Sequence, residues 1–261
     1  MKRFIYPLFA MLLVLAARID VLPAHAQTPD PQEIVDACLR AHGGERFTTS
    51  VVDFDFRGRH FTVSHRGGLF AYTRTYTDST GMVAETLHND GCFRELNGTR
   101  IELADNTRRA VASVINSVVY FALLPHKLND PAVRKRYLGE SIIAVEPYRK
   151  VEVTFVEEGG GEDHRDVFIY WIHKQRNTMD YLAYTYHVNG GGTRFREAFN
   201  TRVVEGIRVA DYHNYRASSE EIPLEAYEGL FQSGKLIKVS DVNMENVRVR
   251  LTEMPQHGKG E

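Results

Sequence analysis

The sequence is expected to fold as a mainly β (α+β) protein: a curved antiparallel sheet forming a half-open β-barrel, with an N-terminal helix and a mid-chain helical insert covering the concave side. Three observations lead there. From Ser50 to Leu103, short alternating runs are broken by glycine turns, the pattern of an antiparallel meander. From Asp105 to Leu124 the apolar residues switch to helical spacing. From Glu157 to Asn200 the chain carries its only tryptophan, two Gly-Gly-Gly runs and its densest aromatic clustering.

Lys2 and Arg3 precede an apolar run from Phe4 to Ala17, and Ala24-His25-Ala26 offers a small-x-small cleavage pattern. Residues 1–26 therefore predict a signal peptide, with secretion across the inner membrane into the periplasm. The run is too short for a confident membrane span, and no other segment approaches the roughly 20 apolar residues a span requires. Cleavage removes three basic residues and one acid, so the net charge moves from −2 to −4. There is no basic excess to recruit nucleic acid or anionic lipid. About 235 residues remain, which suits one large β domain over residues 27–254, with residues 255–261 as a disordered tail.

Asp30-Pro31-Gln32-Glu33 supplies a cap, a first-turn proline and an acid; Gly43-Gly44 supplies a stop. Between them Ile34, Val35, Cys38 and Leu39 recur at helical spacing, so this helix lies on the sheet. The meander follows as Val51 to Arg57, Phe61 to His65, Leu69 to Thr77, Met82 to Asn89 and Phe93 to Leu96. None of its glycines joins a strand to a helix, so no phosphate-cradling motif is present. Cys38 and Cys92 are the two cysteines; an oxidising compartment permits a bridge, while a cysteine on an apolar helix face is more often plain core.

The helical insert spans about residues 105–139. Asp105 to Leu124 is apolar round much of its circumference, which marks burial. Asp130-Pro131 then reads as the cap of a second short helix through Val133, Tyr137 and Leu138, closed by Gly139.

In the central stretch, Val167 to His173 and Tyr181 to Val188 read as strands. Taking Arg176-Asn177 as the turn sets Trp171 opposite Leu182 and Ile169 opposite Tyr184. Taking Asn189 to Gly192 as the next loop sets Tyr184 opposite Glu197 and Tyr186 opposite Phe195. Closing the long upstream loop sets Phe155 against Phe168. One face is then ordinary apolar core, and the other joins Trp171, Tyr184 and Tyr186 with Glu152 and Glu197. Aromatics mixed with carboxylates suit a ligand-lining wall, or a face covered by helices whose acids pair with arginines. The ligand-binding candidates are Trp171, Tyr184, Tyr186, Glu197 and Glu152; no catalytic residue is assigned.

The acidic loop from Glu157 to Asp166 gathers Glu162, Asp163, His164 and Asp166 around three glycines. Its spacing matches neither the calcium-loop pattern nor a zinc signature. These four residues are weak metal candidates, and the loop is expected to be solvated. Downstream, Ile207 to Tyr215 is a strand carrying Asp211 and His213 on one face, a weak acid-base pairing. Ser218 to Tyr227 is linker or short helix, and Leu236 to Leu251 offers one or two last strands.

The phrases AHGG (41–44), LLPHKLNDPAV (123–133), YLGE (137–140), EEGGGEDH (157–164), DVFIYWI (166–172), DYLAYTYHVNGGG (180–192) and RFREAFN (194–200) resemble an uncharacterised family of bacterial envelope proteins known only as a domain of unknown function. That family is similar to the lipoprotein-carrier (Lol-type) half-barrels. The resemblance implies a concave apolar cavity for acyl chains, closed by helices, with no cofactor and no established catalytic residue. The leading functional reading is a periplasmic binding or carrier module for a lipid-like or other apolar small molecule. The rivals are a hydrolase-type enzyme using the acidic glycine-rich loop or Glu197, and a structural envelope protein whose aromatic face meets a partner chain.

Overall fold

The computed structural model describes residues 28–66, 68–160, 165–187, 190–219 and 221–252. The expected signal peptide, the tail from residue 253 onward and the loop residues Glu162, Asp163 and His164 lie outside them.

Helix α1 (Pro31–His42) forms as its sequence dictates. The Asp30 carboxylate accepts the Gln32 N–H, Pro31 occupies the first turn, and Gly43 ends the helix at a positive φ of 141°. Its Ile34, Val35 and Cys38 are buried. The first six strands follow as β1 (Ser50–Phe56), β2 (Arg59–Arg66), β3 (Leu69–Asp78), β4 (Gly81–His88), β5 (Gly91–Leu96) and β6 (Thr99–Ile101). They are consecutive neighbours in an antiparallel meander, as expected. Arg57-Gly58 and Asn97-Gly98 turn with positive φ at both residues, the geometry that matches strand twist in two-residue hairpins. Glu85 is fully buried and lies in register with Arg74 and Arg94 on the flanking strands, which both bond its carboxylate.

Helix α2 (Asp105–Ala122) buries Val111, Ile115 and Val119 against this sheet. The second half of the expected insert is corrected. Val133 to Leu138 is not a helix but the start of β7 (Val133–Ile143), paired with β8 (Glu146–Phe155). Asp130 and Pro131 lead into a strand, not a helix, because the branched and aromatic residues from Val133 on find a partner strand. Gly139, at φ 95°, sits at a bulge opposite β8 rather than at a helix end. A single helical turn, α3 (Glu157–Gly160), leads to β9 (Phe168–His173), β10 (Met179–Tyr186), β11 (Gly192–Val204) and β12 (Ile207–Arg216). After α4 (Tyr227–Gln232) the chain closes with β13 (Ile237–Val242) and β14 (Glu245–Leu251).

The strands divide into two seven-stranded antiparallel sheets, β14-β1-β2-β3-β4-β5-β6 and β13-β12-β11-β10-β9-β8-β7. They do not close on each other; the chain crosses between them once more at the end, from β13 to β14. Helix α2 joins them, because Tyr120 and Phe121 at its C-terminal end pack on Phe168 and Tyr184 of the second sheet. Both faces of that second sheet are core. One, with Val151, Val153, Tyr170 and Leu182, is covered by α1 and the end of α2. The other, with Ile169, Trp171, Ala183 and Phe195, is covered by the segment through α4. Cys38 and Cys92 are free and sit in different clusters.

His42 anchors α1 to the second sheet. Its Nε2 accepts from the Arg208 guanidinium at 3.2 Å, so Nδ1 carries the proton and donates to the Cys38 carbonyl at 2.9 Å. Arg208 also donates to Asp180 at 2.9 Å. Burial, reinforced by the Arg208 charge, pulls the His42 pKa down from 6.5 to about 4.

Candidate functional site

The register of β9, β10 and β11 decides what the sheet presents, and it departs from the sequence expectation twice. Trp171 pairs with Tyr181 rather than Leu182, and Tyr184 pairs with Phe168 rather than Ile169. The cause is a bulge in β10: Met179 still pairs with Ile172, but the next pair is Tyr181 with Trp171, so the extra residue Asp180 shifts the register by one. The loop before β10 is also longer than a two-residue turn, because His173 Nδ1 accepts two backbone N–H groups, from Gln175 at 3.2 Å and Arg176 at 3.1 Å, and stabilises a four-residue connection, Lys174 to Asn177; this even change alone leaves the faces as expected. The next connection holds five residues, 187–191, so Tyr186 pairs with Gly192 and Tyr181 with Glu197. An odd length flips every later side chain to the other face. Phe168 pairs with Val153 rather than Phe155, a two-residue shift that leaves the faces unchanged.

The five candidate binding residues are thereby separated. Tyr184 and Tyr186 face α2 and line a cavity, whereas Trp171, Glu197 and Glu152 stand on the opposite face. Trp171 is fully buried and its indole N–H donates to Glu228 of α4 at 2.9 Å. Glu197 accepts from the Tyr215 hydroxyl at 3.0 Å. Glu152 pairs bidentately with Arg136 at 2.9 and 2.7 Å. Asp166, the one described member of the acidic loop cluster, is buried and bonded to His187 at 2.8 Å. Burial raises its pKa and His187 opposes the rise. Among the described residues, no group of three or more His, Cys, Asp or Glu is placed to hold a metal ion. Asp211 and His213 do not form an acid-base pair: Asp211 accepts from the Met244 N–H and from Arg202, and His213 bonds Asp241.

The cavity is about 370 Å³ and lies between the C-terminal half of α2, the end of β1 and strands β9 to β13. Phe54, Phe121, Phe168, Tyr184 and Met244 supply apolar wall. Gly192 explains how Tyr186 fits beside it: a Cβ at residue 192 would come within 2.7 Å of the Tyr186 hydroxyl. The second Gly-Gly-Gly run thus both sets the loop length and clears space for a cavity side chain.

Three arginines, Arg57, Arg194 and Arg196, and one acid, Asp166, also line the cavity. Arg196 is the deepest of the three, 9% exposed. It donates from Nη2 to the Tyr184 hydroxyl at 2.8 Å, and its guanidinium carbon lies 4.1 Å from the Phe121 ring centre. Among the described residues its Nε has no partner. Asn214, its register partner on β12, is equally buried and its Oδ1 is unpartnered. Sequence reading selected Glu197 and passed over both arginines of the RFREAFN phrase. Alternation alone placed Arg194 and Arg196 together on a face, and the correct loop length puts that face toward Tyr184.

By sequence, residues 21–245 match a family of unknown function, DUF6503. No curated protein matches. Solved structures similar to the chain include a LolA superfamily protein, NE2245, from Nitrosomonas europaea, at 11% identity over 87% of this chain and 96% of that one, TM-score 0.48. A DUF1329 family protein from Desulfovibrio piger matches at 13% identity over 84% and 93%, TM-score 0.42. A putative outer membrane lipoprotein-sorting protein domain from Vibrio parahaemolyticus matches at 9% identity over 89% and 96%, TM-score 0.34.

Proposed function

We propose that this chain, which belongs to the DUF6503 family of unknown function, is a periplasmic binding or carrier module for one lipid-like ligand, held between α2 and the second sheet. The observation that carries the reading is the cavity itself: about 370 Å³, walled by aromatic rings from both sheets and the helix. That volume sits at the small end of the roughly 300–1,000 Å³ typical of ligand pockets, so it suits one chain rather than several. Tyr184 and Tyr186 contribute to its wall. Glu197, named by the rival enzyme reading, stands on the face of the sheet away from this cavity and accepts from the Tyr215 hydroxyl. No helix among the described residues is long and apolar enough to cross a membrane, and the charged start and apolar run before Ala24-His25-Ala26 support export.

The test fills the cavity from its helical side. Ser117 lines it and is half-buried, so Ser117→Trp places an indole where the ligand sits. Affinity for an environment-sensitive apolar probe should fall by roughly tenfold or more, about 1.4 kcal/mol, with little loss of melting temperature. Unchanged probe affinity in a folded Ser117→Trp protein would remove the cavity from the account.

A further inference from the structure

We propose that the ligand is a single-chain amphiphile with an anionic head, and that Arg196 reads its charge. The inference deepens the reading of the cavity as a ligand site and rests on it.

Arg196 is a cation nine-tenths withdrawn from water, and among the described residues no carboxylate oxygen lies within salt-bridge distance of it. Buried charges are normally paired, because desolvation without a partner is expensive. Here the protein supplies only part of the compensation. Phe121 from α2 and Tyr184 from β10 stack near the guanidinium at 4.1 and 5.2 Å, a cation–π arrangement, and the Tyr184 hydroxyl takes one N–H. The Nε proton is left over. A guanidinium that lines the cavity, held by rings and one hydroxyl with no carboxylate beside it, suits a carboxylate or phosphate oxygen.

Asn214 completes the cradle. Its Nδ2 donates to the Ser240 hydroxyl at 3.2 Å while Oδ1 is unpartnered. Asn214 lines the cavity as the register partner of Arg196 and brings no negative charge to it. The wider balance favours the same sign of ligand. Arg57 and Arg194 add positive charge to the lining, and Asp166 is already bonded to His187. The apolar wall of Phe54, Phe168 and Met244 then takes the chain, and the cavity's size limits the ligand to one.

The experiment compares heads on one chain. Lipid-stripped protein is loaded with an apolar fluorescent probe and titrated, at mildly alkaline pH, with oleic acid, oleyl alcohol and an oleyl quaternary amine. The acid should displace the probe at roughly tenfold or more lower concentration than the alcohol, as expected for one charge-assisted contact, and the amine should be weakest. Arg196→Gln should bring acid and alcohol together by weakening the acid alone; Arg196→Lys should keep part of the difference. Equal displacement by acid and alcohol in the wild-type protein overturns the proposal and leaves the cavity reading standing. Displacement by none of the three overturns both. Should Arg196→Gln fail to fold, the wild-type ranking of acid, alcohol and amine decides alone, since a ranking led by the amine or the alcohol contradicts an Arg196 head site.

Discussion

Truncating Trp171 and Tyr184 to alanine, one at a time, separates the two faces of the second sheet. Trp171 is fully buried against Phe195, ring centres 5.6 Å apart, and its N–H is bonded to Glu228. Removing it opens a void in the core, a change that costs about 3–5 kcal/mol for an aromatic core residue, and it takes one donor from Glu228, which keeps Lys150 at 3.5 Å. For a domain of this size each kcal/mol moves the melting temperature by about 2–4 °C, so the drop should reach roughly 10 °C. Tyr184 is nearly as buried, yet it borders space that is already empty. Its removal enlarges an existing cavity and costs the contacts with Phe121 and Phe168 and the Arg196 hydrogen bond, about 1–3 kcal/mol. Thermal melts paired with probe titration distinguish the two: Trp171→Ala should lose stability first, Tyr184→Ala should lose binding first. Trp171 emission should also stay constant on probe binding, because the indole faces away from the cavity. Equal destabilisation by both changes, or a Trp171 emission shift in step with probe saturation, would refute this assignment of faces.

Other expected outcomes follow from single sites. His42 has a folded pKa lowered to about 4 from 6.5, so the stability its neutral form confers is fully present above pH 6.5 and is lost as pH falls from there through about 4. The slope should approach 1.4 kcal/mol per pH unit for this residue, and His42→Gln should flatten the dependence of melting temperature on pH. His65 and His126, whose rings meet at 4.8 Å and whose pKa values burial lowers to about 4 and about 3, add in the same direction. At the β7–β8 turn, Ala144 and Val145 have φ of 48° and 66°, and Val145 is 93% exposed; replacing the pair by Asn-Gly should raise stability by about 1 kcal/mol in denaturant melts. Glu85→Ala leaves Arg74 and Arg94 without their shared carboxylate and should cost about 3–5 kcal/mol by the same measurement.

What was legible in the sequence was what local chemistry decides. The meander could be read because Gly58, Gly98 and their neighbours are the residues its turns require, and α2 could be read because Val111, Ile115 and Val119 repeat at helical spacing. Val133 to Leu138 was misread as helix because Asp130-Pro131 mimics a capped start and Gly139 a stop; only the pairing of β7 with β8 reveals a strand with a bulge. The binding face depended on a bulge that no local pattern marks: the loop held by the His173 ring keeps the expected parity, and the extra residue Asp180 between Met179 and Tyr181 breaks it. One residue of register there, and an odd count at residues 187–191, moved Trp171 and Glu197 away from Tyr184 and brought Arg196 to it.

Where a ligand sits is the central claim, and photo-crosslinking measures it most directly. A fatty acid carrying a diazirine along its chain is bound to the full protein, irradiated, and the modified residues are mapped by mass spectrometry. The expected adducts fall on Phe121 and its neighbours at the end of α2 and on Phe168, Tyr184 or Met244, and they disappear with excess unlabelled fatty acid. Competed adducts on Tyr227 or Phe231 of α4, or on Phe195 beneath it, would place the ligand on the opposite face of the sheet and contradict the account.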